Sequence, residues 1–269
     1  MLKKFIQNIL WKYDYDISKI GIFEENITDL INKMHPVKFN NSELIRVGNL
    51  NGDGGYLVPD IIDKIDYCFT LGVGNDTTFE MVLASRGTKC FLADYSVNGP
   101  ASNHENFFFT KKFIKAYNSQ NNIRFDEWKN NCIGEDYDSK LLIKIDIEGD
   151  EYSVIPTIDT KTLSQTQLII IEFHHLTRLL KKDYQRFIYA AFERILENFY
   201  PVHLHVNNSS NILNKNNIMI PHLLEATFVN KKLINDLDLK YQTTFPNNLD
   251  KPNVNSKPDI QLPKNWYKN

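Results

Sequence analysis

Short apolar runs alternate with amphipathic segments through the middle of the chain. Four runs rich in Leu, Ile and Phe are bounded by polar residues, which is typical of strands buried on both faces of a parallel sheet. The predicted strands are 67–71, 89–93, 141–145 and 167–173, and the predicted helices are 77–85, 150–158 and 183–199. This order predicts an α/β fold in which helices cover both faces of a mostly parallel sheet.

The sheet is predicted to end with two strands that are joined by a loop rather than by a helix. These strands cover 202–206 and 223–229, and an Asn-rich loop at 207–217 separates them. Parallel neighbours need a long crossover, which is usually helical. We therefore expect one antiparallel strand here.

Both ends of the chain differ from the central segment. Apolar residues recur at helical spacing in 2–13 and, more weakly, in 20–34, which predicts a helical N-terminal extension over 1–40. Periodicity is lost in 231–269, which is rich in Asn, Pro, Asp and Lys, so we expect an extended C-terminal tail over the surface. The main domain is then 41–230.

The composition narrows the class of protein. The 31 Lys and Arg residues nearly balance the 33 Asp and Glu residues, which argues against nucleic acid as the main partner. No uncharged apolar run reaches about 18 residues, so we expect no membrane span. Cys68, Cys90 and Cys132 fit neither a disulfide framework nor a CxxC zinc site. We therefore expect free thiols and a cytoplasmic location.

A glycine-containing loop follows the first predicted strand. Gly72 and Gly74 permit a tight turn and a close approach of the backbone to a ligand. Thr77 stands where the dinucleotide fingerprint has its third glycine, which disfavours NAD or FAD but allows an adenosine ligand without a pyrophosphate. Asp94 ends the second strand, at the spacing from Gly72 where an acidic side chain accepts hydrogen bonds from ribose hydroxyls.

The sequence Asp53-Gly54-Gly55-Tyr56 is a strong turn signal with two interpretations. It predicts either a β-hairpin or a loop that reaches over the ligand, so that Asp53 or Tyr56 contacts it. The preceding Arg46 has the charge to pair with a structural carboxylate. Both interpretations stay open at this point.

Acidic and histidine residues mark the ends of the next two strands. Asp146 follows 141–145, and because ligands bind at the carboxyl ends of such strands, we expect it to face the same crevice as Gly72. Glu172 and His174 share one face of the following strand. They suit general-base catalysis on a hydroxyl, or a divalent ion such as Mg²⁺ held by Asp146, Glu172 and His174. The alternative is that His174 packs in the core or caps a helix.

A family resemblance rests on two segments of the chain. These are Lys144-Ile145-Asp146-Ile147-Glu148-Gly149-Asp150-Glu151 and, upstream, Ile123-Arg124-Phe125-Asp126-Glu127-Trp128. Together they resemble the FkbM-type S-adenosylmethionine-dependent methyltransferases, and the loops at 53–56 and 72–76 are similar to a branch of that family. The resemblance covers about 46–229. It implies a Rossmann-like seven-stranded methyltransferase sheet, mostly parallel with the last strand antiparallel, and makes 41–230 the catalytic domain.

The resemblance also implies a site for S-adenosylmethionine. The methionine and ribose of the cofactor are expected at the glycine loop and Asp94, its adenine beside 95–96 and 126–127, and its sulfonium at Asp146, which also faces the acceptor. The predicted cofactor-binding residues are Asp53, Gly54, Tyr56, Gly72, Gly74, Asp76, Asp94, Tyr95, Ser96, Asp126, Glu127 and Asp146.

Members of this family mostly methylate hydroxyl groups of sugars or of small natural products. We therefore expect an O-methyltransferase that acts on a sugar or glycan of the cell-surface or capsular type, with or without Mg²⁺. The candidate catalytic residues are His174, Asp146 and Glu172, and their roles rest on the residues alone. The competing hypotheses are a nicotinamide-dependent oxidoreductase, a metal-dependent hydrolase, and a non-catalytic interaction domain that keeps the cofactor fold.

Overall fold

The computed structural model describes residues 24–39, 43–134, 138–234 and 239–268. The helix predicted at 2–13 lies outside these ranges. Among the described helices, none is both long enough and apolar enough to cross a membrane.

The described elements include the strands and helices predicted for 67–229, together with further helices and strands that the hydrophobic pattern did not predict. The helices are α1 (Glu24–Lys33), α2 (Thr78–Ser85), α3 (Phe125–Ile133), α4 (Glu151–Val154), α5 (Thr160–Gln165) and α6 (Lys182–Leu196). The strands are β1 (Leu44–Gly48), β2 (Gly55–Pro59), β3 (Tyr67–Leu71), β4 (Lys89–Ala93), β5 (Phe107–Thr110), β6 (Phe113–Ile114), β7 (Asn122–Ile123), β8 (Leu141–Ile145), β9 (Thr166–Phe173), β10 (Phe199–Val206), β11 (Ile212–Lys215), β12 (Ile218–Pro221) and β13 (Leu224–Asn230).

Seven strands form the central sheet, in the order β10-β13-β9-β8-β3-β4-β5. Strands β9, β8, β3, β4 and β5 pair in parallel, whereas β13 is antiparallel to both of its neighbours, β9 and β10. This confirms the predicted fold class, a mostly parallel seven-stranded sheet whose last strand in the chain is antiparallel.

Alternate residues of the central strands contribute to two hydrophobic cores, one on each face of the sheet. On β8, Ile143 and Ile145 belong to the first core, which α1, α3 and α6 cover, whereas Leu142 belongs to the second. Phe79 of α2 and Val58 of β2 also lie in the second core. Burial of each such side chain contributes about 1.5–3 kcal/mol, so the apolar strand runs fix the sheet in the centre of the molecule.

The Asp-Gly-Gly segment is the turn of a β-hairpin. Strands β1 and β2 pair antiparallel, from Leu44 opposite Pro59 to Gly48 opposite Gly55. Gly48 has a φ of +94° and its backbone lies against Phe79, where an added Cβ would be 3.1 Å from the Phe79 Cα. The hairpin therefore packs tightly on α2.

The C-terminal tail is more deeply buried than expected. It has little regular secondary structure, but Trp266 is 0% exposed and lies in the first core together with Phe245 and Leu262. The Trp266 indole N–H donates to the Met219 carbonyl at 2.8 Å. These apolar residues stand singly among polar ones, so the sequence contains no periodic signal of their burial.

A buried ion pair links β8 to α2 and yields a first prediction. The Lys144 Nζ lies 3.1 Å from Glu80 Oε1, and the two side chains are 6% and 0% exposed. We expect Lys144→Met to lower the free energy of unfolding by about 3–5 kcal/mol in urea denaturation, because it leaves the Glu80 charge buried without its partner. Arg86→Ala is the matched control: it removes an exposed pair with Asp63 and should cost at most about 1 kcal/mol. Equal losses in the two variants would contradict the prediction.

Candidate active site

A line of polar side chains crosses the sheet where its strands end. Leu71 of β3 pairs with Ile145 on one side and with Ala93 on the other, so the residues that follow these three lie side by side. On the other half of the sheet, residues of β9, β13 and β10 are paired in the same way. Cross-strand partners project to the same face of a sheet. From β4 to β10 the line is Asp94, Asp146, Glu172, Glu225 and His205, with the backbone of Gly72 between the first two.

A cavity of about 430 Å³ lies at the β4–β3–β8 part of this line. Of the predicted cofactor-binding residues, those that line it are Gly72, Gly74, Asp94, Ser96 and Asp146. Small-molecule sites are commonly about 300–1,000 Å³, so this size suits a cofactor. A larger cleft, of about 1040 Å³, lies between α1, α6 and the tail, but none of the predicted site residues lines it. The predicted site residues that line a cavity therefore gather at the smaller one.

The two glycines of the loop serve different purposes. Gly72 has a φ of +82°, and an added Cβ would lie 1.8 Å from the Asp146 carbonyl oxygen, so the ends of β3 and β8 touch through their backbones. Gly74 also has a positive φ, +57°, but an added Cβ would meet nothing within 4 Å. The absence of a side chain at Gly72 thus lets the backbones of β3 and β8 meet, whereas at Gly74 it leaves free space at the cavity wall.

The Asp94 carboxylate anchors the glycine loop. Its Oδ2 accepts from the backbone N–H groups of Val73 (2.9 Å) and Gly74 (3.2 Å), and its Oδ1 accepts from the N–H (2.7 Å) and hydroxyl (2.6 Å) of Ser96. Burial would raise the pKa of Asp94, but these hydrogen bonds outweigh it and hold that pKa below its usual value. These hydrogen bonds already occupy the roughly four acceptor positions of the carboxylate. A ribose hydroxyl would therefore have to compete with the rotatable Ser96 hydroxyl.

The residues predicted to surround the adenine are divided between two places. The Tyr95 ring packs 5.3 Å from the ring of Phe113, which lines the cavity. Asp126 instead accepts hydrogen bonds from the Asp159 N–H and the Thr162 hydroxyl, both at 3.1 Å, and so ties α3 to α5. Neither it nor the next residue, the exposed Glu127, lines the cavity. Their contact with adenine stays a prediction.

The remaining predicted cofactor residues lie beside the cavity rather than in its wall. Asp76 Oδ1 accepts from the N–H of Thr78, the first residue of α2, at 2.7 Å. The hairpin turn touches this aspartate, since a Cβ on Gly54 would lie 2.9 Å from Asp76 Oδ2. Asp53 is exposed on the same turn, and Tyr56 is buried edge-on against Phe79 at a ring distance of 5.5 Å. The turn therefore contacts Asp76, and the contact of Asp53 or Tyr56 with a ligand stays a prediction.

Glu151 organises the loop between β8 and α4. Its side chain is 0% exposed, and its Oε1 accepts from the N–H groups of Ile147 (3.1 Å) and Gly149 (3.2 Å). The same oxygen accepts from His174 Nδ1 at 3.0 Å. Glu151 ends the family-like segment that begins at Lys144, but its sequence pattern predicted no role for it.

His174 is held so that its second nitrogen faces the end of β8. Nε2 lies 3.4 Å from Glu148 Oε2 and 3.8 Å from Asp146 Oδ1. Burial would lower the pKa of His174, but the hydrogen bond and charge of Glu151, with the charges of Glu172 and Asp146, raise it to about 9. Burial raises the pKa of Asp146 to about 6, against the lowering effect of Lys144 and His174.

Glu172 lies one strand further along and is held separately. Its Oε1 accepts from the Asn207 side-chain amide at 2.7 Å. Burial, with the charges of Asp146 and Glu225, raises its pKa well above the usual value.

Ligand atoms of Asp146, Glu148 and His174 lie within 4.8 Å of one another, a spacing that also suits a divalent cation. This group has Glu148 where the predicted magnesium set has Glu172.

Comparison with known proteins shows a family match over the part of the chain that holds most of these residues. Residues 45–199, more than half of the chain, match the family model described as "Methyltransferase FkbM domain". No curated protein matches the chain at a significant level. The matched segment contains the glycine loop, Asp94, Asp146, Glu151 and His174. The chain therefore belongs to the FkbM methyltransferase family, and it is a methyltransferase for which that membership implies S-adenosylmethionine as the cofactor.

Proposed function

We propose that this methyltransferase transfers a methyl group to a hydroxyl of a sugar or glycan. The observation that carries the proposal is the His174 imidazole, which Glu151 orients toward Asp146 at the cavity wall. A hydroxyl is a weak nucleophile and gains most from a nearby base, whereas a thiol or an amine needs one less. An oriented imidazole beside the cofactor cavity therefore favours O-methylation.

The polar groups that line the cavity suit the polar and charged groups of S-adenosylmethionine. The open space beside Gly74 admits a ligand close to the backbone, and Asp94 offers acceptors for ribose hydroxyls. Asp146 supplies a carboxylate near which a sulfonium would be stabilised. When bound, the cofactor supplies a methyl group that is already activated by its positive sulfur.

The residues of this chain then have to align the acceptor and take its proton. We assign the base to Nε2 of His174, because Nδ1 is committed to Glu151. Asp146, 3.8 Å from Nε2, is the alternative base and also stabilises the imidazolium that forms. The spacing of Asp146, Glu148 and His174 leaves Mg²⁺ as a second way to lower the pKa of the hydroxyl. Loss of activity on EDTA treatment, restored by Mg²⁺, would favour that route.

Glu151→Gln tests whether Glu151 raises the pKa of His174. The substitution removes the negative charge that raises the pKa of His174, so that pKa should fall from about 9 toward the ordinary value of 6.5. A base must be deprotonated to act, so the rising limb of turnover against pH should move to lower pH. The measurement is the pH profile of kcat for both proteins. A profile that keeps its position would show that Glu151 does not act through His174.

The proposed function is tested by transfer of a labelled methyl group from S-adenosylmethionine to a panel of cell-envelope glycans. We expect incorporation that base treatment does not remove, as for a methyl ether rather than an ester. Binding of S-adenosylhomocysteine without transfer to any glycan would instead favour a non-catalytic domain or another acceptor class.

We also propose a cytoplasmic location, which the free thiols of Cys68 and Cys90 support.

A further inference from the structure

Two residues that line the cofactor cavity form an ion pair with each other. Lys115, which follows β6, pairs with Asp150, which precedes α4, and neither is among the predicted cofactor-binding residues. We propose that this pair recognises the adenine of S-adenosylmethionine, with Asp150 accepting from the 6-amino group and Lys115 donating to the ring nitrogen N1. The inference rests on the part of the proposed function that puts this cofactor in the cavity.

The backbone on both sides of the pair is held by neighbouring elements. The Lys115 N–H donates to the carbonyl of Ile123, on β7, at 3.0 Å. The Asp150 carbonyl accepts from the N–H groups of Ser153 and Val154, both at 3.0 Å, at the start of α4. The two side chains are 24% and 36% exposed. The donor and the acceptor are therefore already side by side at the cavity wall, where a ligand can reach both.

The neighbours of the pair suit the flat faces of a purine. Phe113, Ile114 and Ile147 line the same cavity. The Phe113 ring packs 5.3 Å from the ring of Tyr95, and the Lys115 Nζ lies 5.4 Å from the centre of the Phe113 ring. A base is bound by apolar contacts on its faces and by hydrogen bonds at its edge. This part of the cavity offers both kinds of contact.

The position of the pair agrees with the way adenine is joined to ribose. Asp94, the expected partner of the ribose hydroxyls, follows β4, and Lys115 belongs to the segment that follows β5, the next strand of the sheet. Adenine is attached directly to the ribose, so it is expected beside that segment. Unlike Asp126 and Glu127, which were predicted to surround the adenine, Lys115 and Asp150 line the cavity.

The pair can bind adenine without separating. An ammonium group has three donor hydrogens and a carboxylate has about four acceptor positions, so each group keeps hydrogen-bonding capacity beyond the ion pair. Adenine presents a donor, its 6-amino group, next to an acceptor, N1, which matches an acceptor next to a donor on the protein. Hypoxanthine, the deaminated base, has an oxygen at position 6 and a hydrogen on N1. Both of its groups would meet a group of the same kind, which leaves them unpaired.

The charge of the pair favours a neutral base over the carboxylate of the methionine part of the cofactor. Among the described residues, Lys115 is the one cation that lines the cavity, and Asp150 neutralises it. The other charged residues in the wall, Asp94, Asp146 and Glu148, are all acidic. A ligand carboxylate at Lys115 would meet the negative charge of Asp150, whereas neutral adenine would not.

The test measures the binding of three ligands by calorimetry. They are S-adenosylhomocysteine, its deaminated analogue S-inosylhomocysteine, and methylthioadenosine, which keeps adenine and ribose but lacks the amino-acid part. The wild type should bind S-adenosylhomocysteine at least about tenfold more tightly than the inosine analogue, because hydrogen bonds to two charged groups are lost in the analogue.

Two variants and a control assign this preference to the pair. Lys115→Met should weaken S-adenosylhomocysteine and methylthioadenosine by the same factor, about tenfold, since both ligands carry adenine. Asp150→Asn, whose amide can donate to an oxygen at position 6, should reduce the preference for adenine over hypoxanthine by about tenfold. Lys112→Met is the matched control: this exposed lysine donates to the Gln120 carbonyl, and its loss should leave all three affinities unchanged.

Three results would overturn the inference. The first is equal affinity of the wild type for S-adenosylhomocysteine and its inosine analogue, and the second is unchanged affinities in both Lys115→Met and Asp150→Asn. The third is a Lys115→Met protein that binds S-adenosylhomocysteine more weakly but methylthioadenosine as before, because Lys115 would then bind the methionine carboxylate. Failure of the wild type to bind S-adenosylhomocysteine would instead count against the cofactor site of the proposed function, so the two failures are distinguishable.

Discussion

Replacing His174 with alanine is expected to lower turnover by about 10²–10⁴-fold, the usual contribution of a general base. The affinity for S-adenosylhomocysteine should change by less than about twofold, because His174 does not line the cofactor cavity and a base acts only on the reacting hydroxyl. The measurements are kcat with a glycan acceptor and calorimetric binding of S-adenosylhomocysteine. Unchanged turnover with unchanged affinity would exclude His174 as the base.

Two comparisons make this result specific. His104→Ala removes a histidine that contacts Phe107 and Asn106 outside the site, and it should leave turnover unchanged. In the wild type, kcat should rise with pH through about 9, the value to which its carboxylate neighbours raise the pKa of His174. A rising limb near pH 6 would instead identify Asp146 as the base, since burial raises its pKa to about that value.

Gly72→Ala is expected to destabilise the protein by about 3–5 kcal/mol, the combined cost of a left-handed backbone and a steric clash. The new Cβ would lie 1.8 Å from the Asp146 carbonyl oxygen, so the backbones of β3 and β8 would have to separate. For a chain of this size the melting temperature should fall by roughly 10 °C. Thermal and urea unfolding of the purified variant provide the measurement.

Gly74→Ala is the matched control for this substitution. Its φ of +57° is also left-handed, but no atom lies within 4 Å of the added Cβ, so the cost should be only about 1–2 kcal/mol. The methyl group would project into open space at the cavity wall, and weaker binding of S-adenosylhomocysteine is the expected result. Equal stability of the Gly72 and Gly74 variants would contradict the backbone contact between β3 and β8.

The hydrophobic pattern was sufficient to predict six of the seven strands of the central sheet, because these strands are short and rich in apolar residues, but it missed the edge strand β5. β3, β4 and β8 begin and end where the hydrophobic runs do. The burial of the tail was missed, since Trp266 and Leu262 reach the core from a segment without periodicity. Such contacts depend on where the chain returns in space, which local spacing does not encode.

The candidate site also has one part that could be predicted from the sequence and one part that could not. The carboxyl ends of parallel strands meet at one edge, so the proximity of Asp146 to Gly72 and Asp94 could be predicted. The contact of His174 with Glu151 could not, because it joins two elements through side chains whose directions only the folded loop determines. The tail residue Asn253, which reaches Glu225 across a long stretch of chain, had no signal for the same reason.

The position of β13 has a consequence for how the chain folds as it is synthesised. β13 lies between β9 and β10 although it is made after both of them. A growing chain that has completed β10 therefore carries a gap in its sheet, with an unpaired edge on β9, until residues 224–230 have been translated. Unpaired strand edges bind other strands, so we expect nascent or truncated chains lacking β13 to aggregate and to depend on chaperones.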